Sequence, residues 1–307
     1  MHYGRREKNG RKKVKQGQVM GLGEKTFNVF MVLLGILITF IALYPIYYVL
    51  ISSFSKPFFV ENGDVLLGIK EFTTASYEAV FKRDGLWTAY GNAIFYTVFG
   101  LLANMFFTTT MAYALSKKSL VGRKFFTLFV IFTMWFNAGI IPTYMNFNNM
   151  GLLNTRTAII FGFAIETYNL IIMKSFFEQV PEALEEAAFI DGAGHFRVFW
   201  NIYLPLSKPA LATVGLFYGI SRWNGYFWTM QLLKDDNKIP LQVFLKKLIV
   251  ERVANPSDAA IVTRDSLTSP TTQVYALIIM AILPMVVVFP FVQKYFKTGL
   301  TLGGVKG

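Results

Sequence analysis

Cysteine is absent from this 307-residue chain, and histidine occurs only as His2 and His195. The first absence excludes disulfides, thiolate metal sites and cysteine nucleophiles. The second leaves two imidazoles too far apart in sequence to suggest a histidine-built metal site, so no metal ligands are expected. Charge is also scarce, at 16% of residues against about 25% in an ordinary soluble domain. The net charge of +12 is not a nucleic-acid footprint, because no helical or strand pattern carries a polar basic face. No Gly-x4-Gly-Lys-Ser/Thr phosphate loop is present, so the chain is not expected to bind ATP. No enzymatic constellation, internal repeat, low-complexity stretch or domain-dividing linker is visible either.

What is abundant is apolar sequence. Hydrophobic residues make up 54% of the chain, mean hydropathy is +0.43, and the apolar residues gather into long runs. A membrane-crossing helix needs about 20 of them. Six stretches meet that length, at about 27–52, 88–115, 125–146, 156–177, 208–230 and 272–293. The expectation is an all-α integral membrane protein with six transmembrane helices. Asn137, Gly139 and Pro142 interrupt the third stretch, while Pro45 and Pro284 fall inside or near span ends. Tyr44, Tyr47, Tyr48, Trp223 and Trp228 suit interfacial belts. The basic stretch that opens the chain precedes a long span rather than a short signal region, and is read as a retained anchor.

Six spans put both termini on one side, and lysine and arginine choose which. The segments flanking spans on the side of the termini hold 18 basic and seven acidic residues, whereas the opposite loops hold 11 basic and 10 acidic. Both termini and the 178–207 loop are therefore expected in the cytoplasm. The chain then divides into a cytoplasmic basic tail (1–26), a first span (27–52), an extracellular segment (53–87), a core with five spans (88–293) and a cytoplasmic C-terminal tail (294–307). The core contains the 178–207 loop and a long outer loop at 231–271; loops of that length are functional or disordered.

In the 178–207 loop, Pro181-Glu-Ala-Leu-Glu-Glu-Ala-Ala-Phe-Ile-Asp-Gly192 predicts a short helix. Proline is expected at its first position, acids in its first turns and glycine at its end. Leu184, Ala187 and Ala188 share a thin face at three- and four-residue spacing. Helix physics alone leaves two readings open: a mere connector, or a docking element.

The spacing Glu186-Ala187-Ala188, Gly192, then Ile202-x-Leu204-Pro205 resembles the EAA motif of ABC importer permeases. The terminal Gly299–Gly307 stretch and Pro205–Leu211 are similar to the carbohydrate-uptake class, in particular the maltose-type and oligosaccharide-type second permease. The resemblance implies a type I ABC importer permease fold. It also implies that Glu186, Ala187, Ala188, Asp191, Gly192, Ile202, Leu204 and Pro205 couple the chain to an ATPase, and that an extended tail including Gly303, Gly304, Val305, Lys306 and Gly307 lies against that ATPase. The implied partners are a second, non-identical permease, two cytoplasmic ATPase subunits that carry ATP and Mg, an extracellular solute-binding protein, and membrane lipid. No cofactor and no nucleic acid is expected on this chain.

A charge inside a span is by default a functional hypothesis, and Glu166 and Arg222 are two such charges. Either they pair with each other and fix the bundle, or they face the path of a sugar. Trp223, Asn224 and Asn137 are further path candidates, with Asn104, Tyr168 and Asn169 weaker ones; all of these serve equally well as helix–helix contacts. An importer of another solute is the near alternative. An ion-coupled secondary transporter would want half-repeats and broken helices around a midplane ion site, which the sequence does not show. A membrane scaffold has no reason to carry the EAA spacing.

Overall fold

The computed structural model describes residues 22–254 and 262–303. In chain order the helices are α1 (Leu22–Ser53), α2 (Pro57–Glu61), α3 (Ala75–Phe81), α4 (Leu86–Ser116), α5 (Arg123–Trp135), α6 (Ile140–Asn149), α7 (Arg156–Phe161) and α8 (Thr167–Phe177). They continue as α9 (Glu182–Ile190), α10 (His195–Val198), a π-helical turn (Phe199–Tyr203), α11 (Leu204–Leu206), α12 (Lys208–Asn224), α13 (Phe227–Leu232), α14 (Leu241–Ala254) and α15 (Pro270–Gly303). The described residues hold no strand beyond one isolated antiparallel bridge, Ser55 with Phe72.

The chain separates into two compact units after Tyr48. The first contains most of α1, a helix apolar all round whose side chains from Phe27 to Ile46 are largely exposed; such a helix is stable only where its surroundings are themselves apolar. In the second unit α4 is the central post. Its 31 residues extend about 46 Å at 1.5 Å per residue, more than the hydrocarbon core of a bilayer. It packs against α8 and α12, and α12 packs in turn against α15. One buried cluster, with Ala112, Leu115, Leu170, Met173, Phe177, Phe199, Tyr203, Val214 and Tyr218, fills the end of the bundle near α9. A second, with Val80, Leu86, Leu241, Val274 and Leu277, joins α3, α14 and the start of α15 at the other end. There Ser76 Oγ donates to Thr272 Oγ1 at 2.8 Å and Ser269 Oγ to Glu61 Oε1 at 2.9 Å. The 53–87 segment is thereby packed on the bundle.

Among the described residues, three helical stretches are long and apolar enough to cross a membrane: 26–53, 86–116 and 270–291. The helices α5 and α6 meet the same criterion only when taken together, and the pair is bent by 117° around Phe136–Gly139. The expected continuous spans at 156–177 and 208–230 are broken instead, between α7 and α8 and between α12 and α13. At the first break, side chains of other helices take carbonyls that an unbroken helix would have used internally.

Candidate functional site

The break between α7 and α8 frees the last carbonyls of α7, which must find donors in an apolar environment. Arg222 of α12 serves two of them, and one carbonyl within the break. Its guanidinium donates to the carbonyl of Ile159, to Ile160 O at 3.1 Å and to Phe163 O at 2.9 Å, and its Nε donates to Asn104 Oδ1 at 2.7 Å. Asn104, buried on α4, donates through Nδ2 to Phe163 O at 3.0 Å and Ala164 O at 2.9 Å. The cation thus caps the C-terminal end of α7, where the peptide dipoles favour positive charge. The close fit requires glycine beside it, since a Cβ on Gly100 would come within 2.9 Å of Arg222 Cδ and Nε.

The expected Glu166–Arg222 pair does not form. Glu166 instead sits at the start of α8, where the dipole has the opposite sign. Its Oε2 accepts from Asn169 Nδ2 at 2.9 Å, and its backbone N–H donates to the Tyr218 hydroxyl at 3.0 Å. Each charge is placed against one end of a broken helix, so neither depends on the other.

Glu166, Arg222 and Asn224 line one cavity of about 450 Å³, together with Ser221, Tyr226, Phe227 and Trp228. Trp223 is different: it is 5% exposed and its Nε1 donates to Ala281 O at 3.0 Å, which ties α12 to α15 instead of placing the indole in an interfacial belt. Asn137 closes the α5–α6 bend by accepting from Gly139 N at 2.8 Å. Asn169 is buried against Glu166, and the exposed Tyr168 lies beside Phe217.

At the α9 end the EAA-like segment forms the short helix the sequence predicts, with Pro181 one position earlier, at the N-cap. Its exit is a Schellman turn. Gly192 has φ +81°, its N–H donates to Phe189 O at 3.0 Å, and Ala193 N donates to Ala188 O at 2.9 Å. The face differs from expectation. Leu184, Ala187, Glu186, Ile190 and Asp191 are exposed, but Ala188 turns inward against the cluster around Tyr203. The rotation follows from Glu185, which shares the inner face of α9 with Ala188 one turn away.

Glu185 is the residue that motif reading overlooked. Its Oε2 accepts from Lys117 Nζ at 2.7 Å and from the Tyr203 hydroxyl at 2.6 Å. The Lys117 ammonium also lies 4.0 Å from the Tyr113 ring centre and 3.7 Å from that of Tyr203. Burial alone would raise the Glu185 carboxyl, but the hydrogen bonds from Lys117 and Tyr203 outweigh it and hold it below its usual 4.5. The same burial, reinforced by Glu185, pushes the Tyr203 hydroxyl up. The only sequence signal was an acid one turn before the inward alanine. Tyr203 ends the π-helical turn, and Leu204 N donates to Phe199 O across it. Pro205 follows; it has no N–H to donate, and its ring would strike the carbonyl four residues back in an α-turn. Ile202 and Leu204 are half-buried against the same cluster, and Pro205 is exposed.

Of the tail residues, Gly303 ends helix α15, so the stretch from Gly299 to Gly303 is helical where an extended, non-helical tail was expected. Gly304, Val305, Lys306 and Gly307 lie outside the described residues.

Comparison with known proteins agrees with this arrangement. Protein LplC of Bacillus subtilis (strain 168) is 39% identical over 270 residues, covering 87% of this chain and 90% of the relative. The polygalacturonan/rhamnogalacturonan transport system permease protein YtcP of the same strain is 37% identical over 279 residues, covering 90% and 98%. A chain from the crystal structure of a bacterial ABC transporter involved in the import of the acidic polysaccharide alginate is 42% identical, with a TM-score of 0.82 over 90% of this chain and 99% of that one. Residues 85–302 match the family described as binding-protein-dependent transport system inner membrane component. That match covers the central post, the broken helices and the α9 segment, and the chain belongs to this family, as the multi-pass membrane permease subunit of an ABC importer.

Proposed function

We propose that this chain forms half of the translocation path for an oligosaccharide handed over by an extracellular solute-binding protein. It works beside a second, non-identical permease and is driven by two ATPase subunits that hold ATP and Mg. Six spans, three of them broken, then place both termini and α9 in the cytoplasm, as the lysine and arginine distribution favours. The observation that carries the coupling role is α9 itself. It is a short helix fixed to the bundle from inside, with Leu184, Ala187 and Ile190 facing outward. Ile190, 86% exposed, is the side chain a docking groove would cover.

For the cargo, the support is the relatives: YtcP is named for polygalacturonan and rhamnogalacturonan, and the transporter of the solved chain imports alginate. The cavity lining of Tyr226, Phe227, Trp228 and Asn224 suits sugar faces and hydroxyls. Arg222 is committed to backbone carbonyls and Asn104, so it is not free to pair with the carboxylate of an acidic sugar. The helix breaks also meet one demand of an ion-coupled transporter. At the α7–α8 break, however, the carbonyls are taken by Arg222 and Asn104 instead of being left for an ion.

The test is uptake of labelled oligogalacturonide by cells carrying the complete importer. Gly192→Asp and Glu186→Lys are expected to abolish uptake while the protein still inserts in the membrane. Full uptake by both variants overturns the coupling role of α9. Uptake of amino acids or metal ions instead of saccharide overturns the cargo.

A further inference from the structure

The α9 helix hangs on the bundle by very little. Of its side chains only Glu185 and Ala188 are even half-buried; a methyl group against a core gives no directional hold, and the Glu182–Lys118 ion pair at 2.6 Å is solvent-exposed and weak. Glu185 does. Its salt bridge to Lys117 is 2.7 Å long, with side chains only 14% and 12% exposed, and Tyr203 completes the carboxylate shell. A buried ion pair is a poor way to gain stability, because desolvation offsets most of the attraction and an apolar pair of similar size would serve as well. What it does supply is geometry: a charged, hydrogen-bonded joint with one favoured arrangement.

Lys117 immediately follows the last residue of α4. Along that same helix Thr108 Oγ1 meets the Tyr218 hydroxyl at 2.7 Å, and that hydroxyl accepts from the Glu166 backbone. Farther on, Asn104 holds Arg222 and the broken end of α7. One continuous helix therefore runs from the joint to the cavity, about 20 Å away at 1.5 Å per residue. We propose that Glu185, Lys117 and Tyr203 form the joint through which displacement of α9 is passed to α4 and so to the cavity. They are positioning residues of coupling, distinct from the outward residues of α9 that meet the ATPase. The inference rests on the reading of α9 as the docking helix. It assigns a separate step: transmission after docking.

The experiment uses the importer assembled with its partner subunits in nanodiscs. The chain has no cysteine, so Ser221→Cys, at the cavity wall, reports opening through its rate of maleimide labelling, read on this chain alone after electrophoresis. ATP with vanadate is expected to change that rate several-fold in the otherwise unaltered chain. In Glu185→Gln and Lys117→Met the ATPase subunits are expected to stay bound and to hydrolyse ATP, while the labelling change falls below two-fold. The double variant should be no worse than either single one, since both remove the same contact. Tyr203→Phe, which deletes one hydroxyl, should fall between. A labelling change that persists in Glu185→Gln and Lys117→Met overturns the joint. Failure of all three variants to assemble also overturns it, by making the cluster purely architectural. Loss of ATPase binding in the variants assigns the residues to docking instead. If the parent chain shows no ATP-dependent change, the docking reading of α9 itself falls.

Discussion

Arg222 is the residue whose surroundings differ most from what its sequence position suggests. A lone arginine in an apolar stretch asks for an acid, and Glu166 is the acid at hand. The fold answers with backbone carbonyls. Removing the guanidinium takes the donor from the Ile159 and Ile160 carbonyls, at about 1–3 kcal/mol each, while Phe163 O keeps Asn104. Arg222→Ala is therefore expected to lower the melting temperature of the purified protein in detergent markedly. Arg222→Lys should recover only part of it, because one ammonium cannot reach acceptors spread around a planar fork. Asn104→Ala combined with Arg222→Ala should cost less than the sum of the two, since they share a bond. Glu166→Ala and Arg222→Ala should add. Sub-additive losses for the Glu166–Arg222 combination, measured by thermal unfolding, would restore the ion pair that the geometry denies. At Gly192, φ is +81° and a Cβ added there would meet no atom within 4 Å. Alanine at this position should thus cost only the backbone term, about 1–2 kcal/mol, and asparagine less. Uptake ranked Gly, Asn, Ala checks it.

At the scale of elements, α9 is the piece whose attachment depends on ionisation. The folded-state pKa of Glu185 lies below the usual 4.5, so the attachment it supplies is complete above that value. It is lost as pH falls through the depressed folded value. The protection of α9 amides, taken relative to their intrinsic exchange rate at each pH, is expected to be high at neutral pH and to fall below about pH 4.5; Glu185→Gln should remove most of that pH dependence, leaving only the exposed Glu182–Lys118 pair. Much of this element was legible beforehand. Acids in the first turn, glycine after the last and the EAA spacing are all local signals, and the helix has the predicted length. Which way it faces was not legible. Three- and four-residue spacing grouped Leu184, Ala187 and Ala188, but Lys117, 68 positions away from Glu185, decides the rotation. The breaks at 162–166 and 225–226 were hidden for a similar reason. Hydropathy averages over a window, and an apolar window reads alike whether the helix within it is continuous or interrupted.

For the whole molecule, orientation is the property that basic-residue asymmetry predicts and that a cysteine-free chain makes simple to test. Leu67 and Ile190 are 78% and 86% exposed and belong to loops assigned to opposite sides of the membrane. With a membrane-impermeant maleimide, Leu67→Cys should label in intact cells and Ile190→Cys only after permeabilisation. The reverse pattern would invert the topology.

Composition, apolar run length and one motif were enough to identify a multi-spanning permease of an ABC importer, and to predict a coupling segment on the cytoplasmic side. Those are properties of neighbouring residues, and the chain carries them wherever it folds. Tertiary structure alone decided that Arg222 serves α7 and not Glu166, that Trp223 belongs to the α12–α15 contact, and that Ala188 looks inward. Each of these depends on a partner far away in sequence, 118 residues in the case of Arg222 and Asn104. A buried donor donates to whichever oxygen the packing brings within reach, and only the packed bundle determines which oxygen that is.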